Sequence, residues 1–184
     1  DEFKEVLVRC AKSGVNGVSV VDTFGSLSAT SFREYVSVMA DVLSPNQEIG
    51  LHLHENLSSS FPFVQDTVAD KSLNNDIIID ASLHGIGRIP GNLPVELVAA
   101  YLNRDFNKNY GIFDLLTSIE RDVLPIKSKR NWGYSPEYML SGIYDVHRSY
   151  PEFFVEHNGV SMGECSLLIS QIVKDKMGSE FDKP

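Results

Sequence analysis

Phe3, Val6, Leu7 and Cys10 recur at i, i+3, i+4 and i+7, the spacing of one apolar helix face. Gly14 and Gly17 close that stretch, and Gly17 to Asp22 is a β-branched run of strand length. Phe32, Tyr35, Val36, Met39 and Leu43 form a second helical stripe, for which Ser31 and Glu34 offer a capping box. Pro45 and Asn46 interrupt it, and Glu48 to His54 reads as the next strand. Phe61, Val64 and Val68 mark a third helix that tolerates Pro62 in its first turn. Asp76 to Asp80 carries Ile77, Ile78 and Ile79 in succession, the mark of a strand buried on both faces. Pro94 and Glu96 open a fourth helix through Leu97, Val98, Ala100 and Tyr101.

The strands recur at about 30 residues with one helix between each pair, the period of the βαβ unit. Such units make parallel strands joined by right-handed crossovers, with helices covering the sheet. After Arg104 no further strand stands out. Phe113, Leu116, Ile119 and Val123 predict a helix ended by Pro125, and Lys127 to Arg130 a short basic loop. Glu137 to Ser149 predicts another helix, stopped by Pro151. Cys165 to Val173 predicts a last one, running toward Met177, with a frayed tail after Gly178. Two regions are expected: three βα units over 1–105, and an all-helical appendage over 106–184.

Composition narrows the classes. The 184 residues suit one domain, or one with a small appendage, and 42% hydrophobic content excludes a disordered chain. A net charge of -9 argues against nucleic-acid binding, which needs a concentrated basic face. No apolar run is long enough to span a membrane. Cys10 and Cys165 form no C-x-x-C pair; two buried, reduced thiols in a cytoplasmic protein are expected. The chain starts at Asp1 with no Met, which raises the expectation of an upstream segment.

Parallel α/β folds place chemistry at the carboxyl ends of their strands. Those ends carry Asp22-Thr23-Phe24-Gly25, His52-Leu53-His54-Glu55-Asn56, and Asp80-Ala81-Ser82-Leu83-His84-Gly85. Residues i and i+2 of a strand share a face, so His52 and His54 aim at one point. Two imidazoles so placed suit a divalent metal completed by a third ligand; they equally suit a hydrogen-bonded pair in a polar barrel mouth. The stretch Gly85 to Asn92 stands between a strand and a helix start, as a phosphate-cradling loop does. A tight strand-to-helix turn is the favoured reading, since no acidic ribose partner follows at the end of a next strand.

These three segments, in this order and with Gly87-Arg88, Gly91-Asn92 and Glu96 after the third, resemble the last three strands of the HMG-CoA lyase-like metal-dependent aldolases, which are TIM barrels. Within that family the chain is most similar to the branch that cleaves 4-hydroxy-2-oxovalerate. The short Asp80–Asn92 segment and the helical tail with Ser141-Gly142-Ile143-Tyr144 carry that likeness. The resemblance covers most of residues 1 to 175 and weakens after about 105. It implies an α/β fold: the carboxy-terminal three βα units of a TIM barrel followed by the helical appendage.

The resemblance also implies roles. His52 and His54 would be two ligands of a divalent cation, commonly Mn2+. Thr23 would bind the carboxylate of the pyruvate moiety. Asn56 would support the metal site from behind, and Tyr144 would assist proton transfer, although helical spacing alone makes Tyr144 a core aromatic. Retro-aldol cleavage of a 4-hydroxy-2-oxoacid to pyruvate and an aldehyde develops enolate charge that a chelated cation stabilises. The family's first strand supplies an arginine, an aspartate ligand and a catalytic histidine, and no matching segment precedes the three strands here. The 184 residues alone are therefore expected to be inactive. Glu55 stands where the family more often has another residue, and should point away from the metal. The alternatives are a Claisen-type acyl transfer of the isopropylmalate or citramalate synthase kind, marked by acetyl-CoA dependence, and a docking module for a partner aldehyde dehydrogenase. Self-association that buries the strand from Gly17 to Asp22 is also expected, because an open barrel exposes an edge.

Overall fold

The computed structural model describes residues 2–157, 159–175, 178 and 181; the predicted helix end at Met177, and the tail beyond Gly178 except Phe181, lie outside them. Helix α1 (Glu2–Lys12) leads into strand β1 (Gly17–Asp22), α2 (Ala29–Val42), β2 (Glu48–Leu53), α3 (Ser60–Ala69), β3 (Ile77–Asp80) and α4 (Val95–Phe106). The strands form one parallel sheet in the order β1-β2-β3, with Val21 opposite His52 and His52 opposite Asp80. In-register pairing brings the three polar strand ends to one rim.

One sheet face is packed. Ile49, Leu51 and Leu53 of β2 are fully buried against Leu7, Phe32, Val36, Met39 and Val64 of the helices. The other face carries Ser19, Val21, His52, Ile78 and Asp80, and no described helix covers it. The expectation that β3 is buried on both faces is corrected: Ile78 is 44% exposed and Ile77 and Ile79 are half-buried. β3 is an edge strand here, and a hydrophobic side chain is buried only where a neighbour exists to cover it.

Local signals explain most boundaries. The cap of α2 is Ser28, whose side chain accepts from the Ser31 backbone N–H at 3.1 Å. Ser31 is already inside the helix, so the predicted Ser31–Glu34 box does not form. Cys165 is buried as expected, whereas Cys10 is only half-buried; both are free.

The helical region comprises α5 (Ile112–Ser118), a π turn over Ile119–Val123, α6 (Leu124–Lys127), α7 (Pro136–Tyr144), α8 (Ser149–Glu152), a second π turn over Phe153–His157, and α9 (Met162–Lys174). Pro125 does not end the first helix; it sits in the opening turn of α6, where a missing N–H costs little. Nor does one helix run from Glu137 to Ser149. Asp145 takes a left-handed conformation, φ 51°, and ends α7 after Tyr144, as a short polar side chain can. Pro151 then lies within α8. The capping box lies further on, where Ser161 and Glu164 bond reciprocally at the start of α9.

An apolar contact fastens this region to the loop after β3. Ile119, Val123 and Trp132 pack on Leu83, Ile86 and Ile89 of the loop after β3. Leu140, Val146, Tyr150, Phe154, Cys165 and Ile169 form a separate apolar cluster within the helices. Among the described residues no helix is long and apolar enough to cross a membrane.

Candidate active site

His52 and His54 both sit at the end of β2, with ring centroids 5.1 Å apart. The Nδ1 of His52 lies 3.0 Å from Oδ2 of Asp80 on β3. The Nδ1 of His54 lies 2.8 Å from the backbone carbonyl oxygen of Asp22 on β1. Each neutral ring then carries its proton on Nδ1 and its lone pair on Nε2, the arrangement by which carboxylate and carbonyl partners orient metal-binding histidines. Two such Nε2 lone pairs are the kind of donor a divalent ion takes from imidazole. Among the described residues no third His, Cys, Asp or Glu joins them as a metal-binding group.

The two rings line a cavity of about 400 Å³ together with Val21, Thr23, Phe24, Asn56, Arg88, Ile89, Pro90, Asn92, His147 and Arg148. The structure thus brings Thr23, His52, His54 and Asn56 to one place. Tyr144 does not line this cavity; its hydroxyl is 2.9 Å from Ser166 Oγ on α9. The glycine-rich segment behaves as a turn: Asn92 N–H donates to Gly85 O at 3.0 Å, and Ser82 Oγ to Ile86 O at 2.7 Å.

Asn56 is 2% exposed and joins the two regions. Its Nδ2 donates to Ser141 Oγ at 2.7 Å and to Tyr138 O at 3.2 Å, both on α7. Its Oδ1 is buried with no hydrogen-bond partner and lies against Gly25. A Cβ at Gly25, where φ is +55°, would stand 2.7 Å from that oxygen, so only glycine admits the approach. Gly25 closes this oxygen off, so it is a buried acceptor left without a partner.

Asp22 is buried, and its carboxylate accepts the backbone N–H of Ser26 at 2.9 Å and of Leu27 at 3.3 Å. Burial pushes its pKa up, and the two N–H donors pull against that shift. Burial also raises Glu55 to about 7. Glu55 does not line the cavity.

His147 and Arg148 are site residues that periodicity missed. Reading α7 through to Ser149 absorbed them into a helix face, whereas the turn at Asp145 delivers them to the cavity. Arg88 and Asn92 belong to a segment that the sequence marks as a turn but not as a source of cavity-lining side chains.

A parallel α/β sheet with paired histidines at its carboxyl rim puts polar side chains where barrel folds place their chemistry. The chain matches the HMGL-like family over residues 1–123 and belongs to that family. It is 33% identical over 127 residues to the 4-hydroxy-2-oxovalerate aldolase of Chloroflexus aurantiacus, covering 66% of this chain and 35% of the relative. It is 32% identical over 114 residues to the enzyme of the same name from Thermomicrobium roseum, covering 61% and 30%. An oxaloacetate decarboxylase of Mycobacterium tuberculosis is 25% identical over 166 residues, covering 90% and 46%. The chain thus spans less than half the length of these curated relatives. The crystal structure of the N-terminal domain of a putative aldolase from Bacteroides vulgatus superposes with a TM-score of 0.74 at 25% identity, over 89% of this chain and 52% of that one. The carboxyl transferase domain of Rhizobium etli pyruvate carboxylase shares the fold, with a TM-score of 0.59 at 11% identity over 96% and 34%. The three parallel βα units are consistent with part of a TIM barrel, as the resemblance implied.

Proposed function

We propose that this site serves a divalent-metal-dependent carbon–carbon lyase that cleaves 4-hydroxy-2-oxoacids, such as 4-hydroxy-2-oxovalerate, to pyruvate and an aldehyde. The observation that carries the reading is the pair of imidazoles whose Nδ1 atoms are both engaged from behind, by Asp80 and by Asp22. His52 and His54 would hold the cation, for which Mn2+ is the proposed identity. When bound, it supplies Lewis-acid stabilisation of the charge that grows on the keto oxygen. Aldol cleavage and oxaloacetate decarboxylation, the activities in the relatives' names, both leave the enolate of pyruvate, so one charge-stabilising site suits either.

The chain's own residues have distinct tasks. Asp80 and the Asp22 carbonyl fix the ring planes and tautomers of His52 and His54. The Thr23 hydroxyl, on the same cavity wall, donates to the substrate's C1 carboxylate. Asn56 ties the segment after β2 to α7 through its two Nδ2 hydrogen bonds and so supports the cavity wall. The proton-transfer role suggested for Tyr144 requires its hydroxyl to leave Ser166. With two imidazoles and no third metal-binding carboxylate among the described residues, the 184 residues alone are proposed to bind metal and ligand without turnover.

The test is the binding of oxalate, a planar mimic of pyruvate enolate, by calorimetry with Mn2+ and with EDTA. Binding that requires Mn2+ and is lost in His52→Ala supports the reading. Oxalate binding that is indifferent to Mn2+ and to His52, or no binding at all, contradicts it.

A further inference from the structure

The cavity at the end of β2 differs in charge from the molecule around it. The chain carries 25 acidic and 16 basic residues, yet no carboxylate lines this cavity, whereas two guanidiniums and three imidazoles do. His52 and His54 are accounted for by the proposed cation. Arg88, His147 and Arg148 are not.

The three come together from two segments. Arg148 Nη1 donates to the Ile89 carbonyl oxygen at 3.2 Å and to Glu152 Oε1 at 3.2 Å. Its guanidinium is therefore seated on the loop that carries Arg88. Glu152 also accepts the Tyr138 hydroxyl at 2.7 Å, so the carboxylate that steadies Arg148 is shared. Arg88 is exposed, and among the described residues no carboxylate pairs with it. The Nδ1 of His147 accepts the Ser149 backbone N–H at 3.3 Å, and its ring stands edge-on to Phe24 at 6.1 Å. That leaves Nε2–H of His147 as a donor. The wall offers donors, and of its two guanidiniums Arg148 is paired with Glu152 while Arg88 is not.

A guanidinium fork matches a carboxylate or phosphate with paired N–H donors. A monoanionic 2-oxoacid, held by its C1 carboxylate and keto oxygen at the histidine pair, would leave Arg88 without a counter-charge. We propose that Arg88, His147 and Arg148 form a subsite for a second anionic group of the substrate, a carboxylate or phosphate carried beyond the 2-oxoacid moiety. The proposal rests on the lyase reading above and, within the 4-hydroxy-2-oxoacids, favours those with a second anionic group over 4-hydroxy-2-oxovalerate itself, which has only one. Arg88 is its specificity-determining residue, because it alone of the two guanidiniums has no internal carboxylate to satisfy it.

The test is calorimetric titration of this chain, with Mn2+ present, against 2-oxoglutarate, 3-phosphonopyruvate and 2-oxopentanoate. At least one dianionic probe is expected to bind about tenfold tighter than 2-oxopentanoate, and which one does so tells carboxylate from phosphate. Arg88→Gln should cut that preference to about threefold or less, and Arg88→Lys should restore part of it. Equal affinity for all three probes overturns the subsite and leaves the lyase reading standing. A parallel loss of all three in Arg88→Gln also overturns it, since Arg88 would then hold the shared C1 carboxylate. A dianion preference that needs Arg88 but survives EDTA and His52→Ala supports the subsite and refutes the metal reading. Failure of every probe to bind overturns both.

Discussion

His52 on β2 and Asp80 on β3 meet across the strand pair, imidazole Nδ1 to carboxylate Oδ2, at 3.0 Å. The parallel register sets the two residues opposite each other, so backbone pairing alone delivers the carboxylate to the ring. Asp80→Asn removes the charge that favours the Nδ1–H tautomer and makes Nε2 a better ligand. The variant is predicted to fold normally, because Asp80 is half exposed. It is predicted to bind Mn2+ about tenfold or more weakly by competition with a fluorescent chelator. Unchanged affinity would mean that Asp80 does not orient the ring.

The junction between sheet and helices is tight at Gly142 of α7. A Cβ there would stand 2.9 Å from Leu57 Cγ and 3.1 Å from Asn56 Cβ. Gly142→Ala is predicted to cost about 1–3 kcal/mol in urea unfolding, the usual range for overpacking. A stability equal to that of the unsubstituted chain would show that α7 is free to move away from Asn56 and Leu57.

Glu55 gives a pH dependence of unusual sign. Its folded carboxyl titrates near 7 because of burial, against about 4.3 for an unfolded glutamate. Between those values the folded state holds a proton that the unfolded state lacks, so stability is full at the acid end and falls as pH rises through 7. Glu55→Gln removes the effect and is predicted to be more stable than the unsubstituted chain at pH 8 by about 1–3 kcal/mol. The two should converge near pH 4. A difference that does not change with pH would rule out the buried carboxyl as its source.

The loop from Leu83 to Asn92 is held from the helical side. Trp132 donates its indole N–H to the His84 carbonyl oxygen at 2.7 Å, and Lys127 Nζ lies 5.4 Å from the centroid of the same ring. Trp132→Phe keeps the apolar contact and loses the hydrogen bond, worth about 0.5–1.5 kcal/mol. Amide exchange at Asn92, whose N–H donates to Gly85 O, is predicted to quicken by about threefold to tenfold. No change would place the loop's anchorage in its own turn.

The α/β class and the histidine pair were legible in the sequence for a simple reason. Strand alternation places i and i+2 on one face whatever the rest of the chain does, so His52 and His54 needed no tertiary information. His147 and Arg148 were illegible because their placement hangs on one backbone angle at Asp145, and apolar periodicity continues past it. The exposure of Ile78 was also hidden, since three consecutive isoleucines report what a strand can bury and not whether a neighbour is there. Asn56 was read as support for the metal pair. The structure gives it two bonds to α7 and leaves one oxygen without a partner. Such a division depends on contacts 82 and 85 residues away in sequence.

The most direct measurement of the central claim is a Mn2+ titration followed by electron paramagnetic resonance, which reads free aqueous Mn2+. The account predicts that the chain depletes the free signal at one site, and that His52→Ala and His54→Ala each weaken that binding about tenfold or more. Depletion that persists undiminished in both variants, or a free signal that the unsubstituted chain does not change, would contradict it.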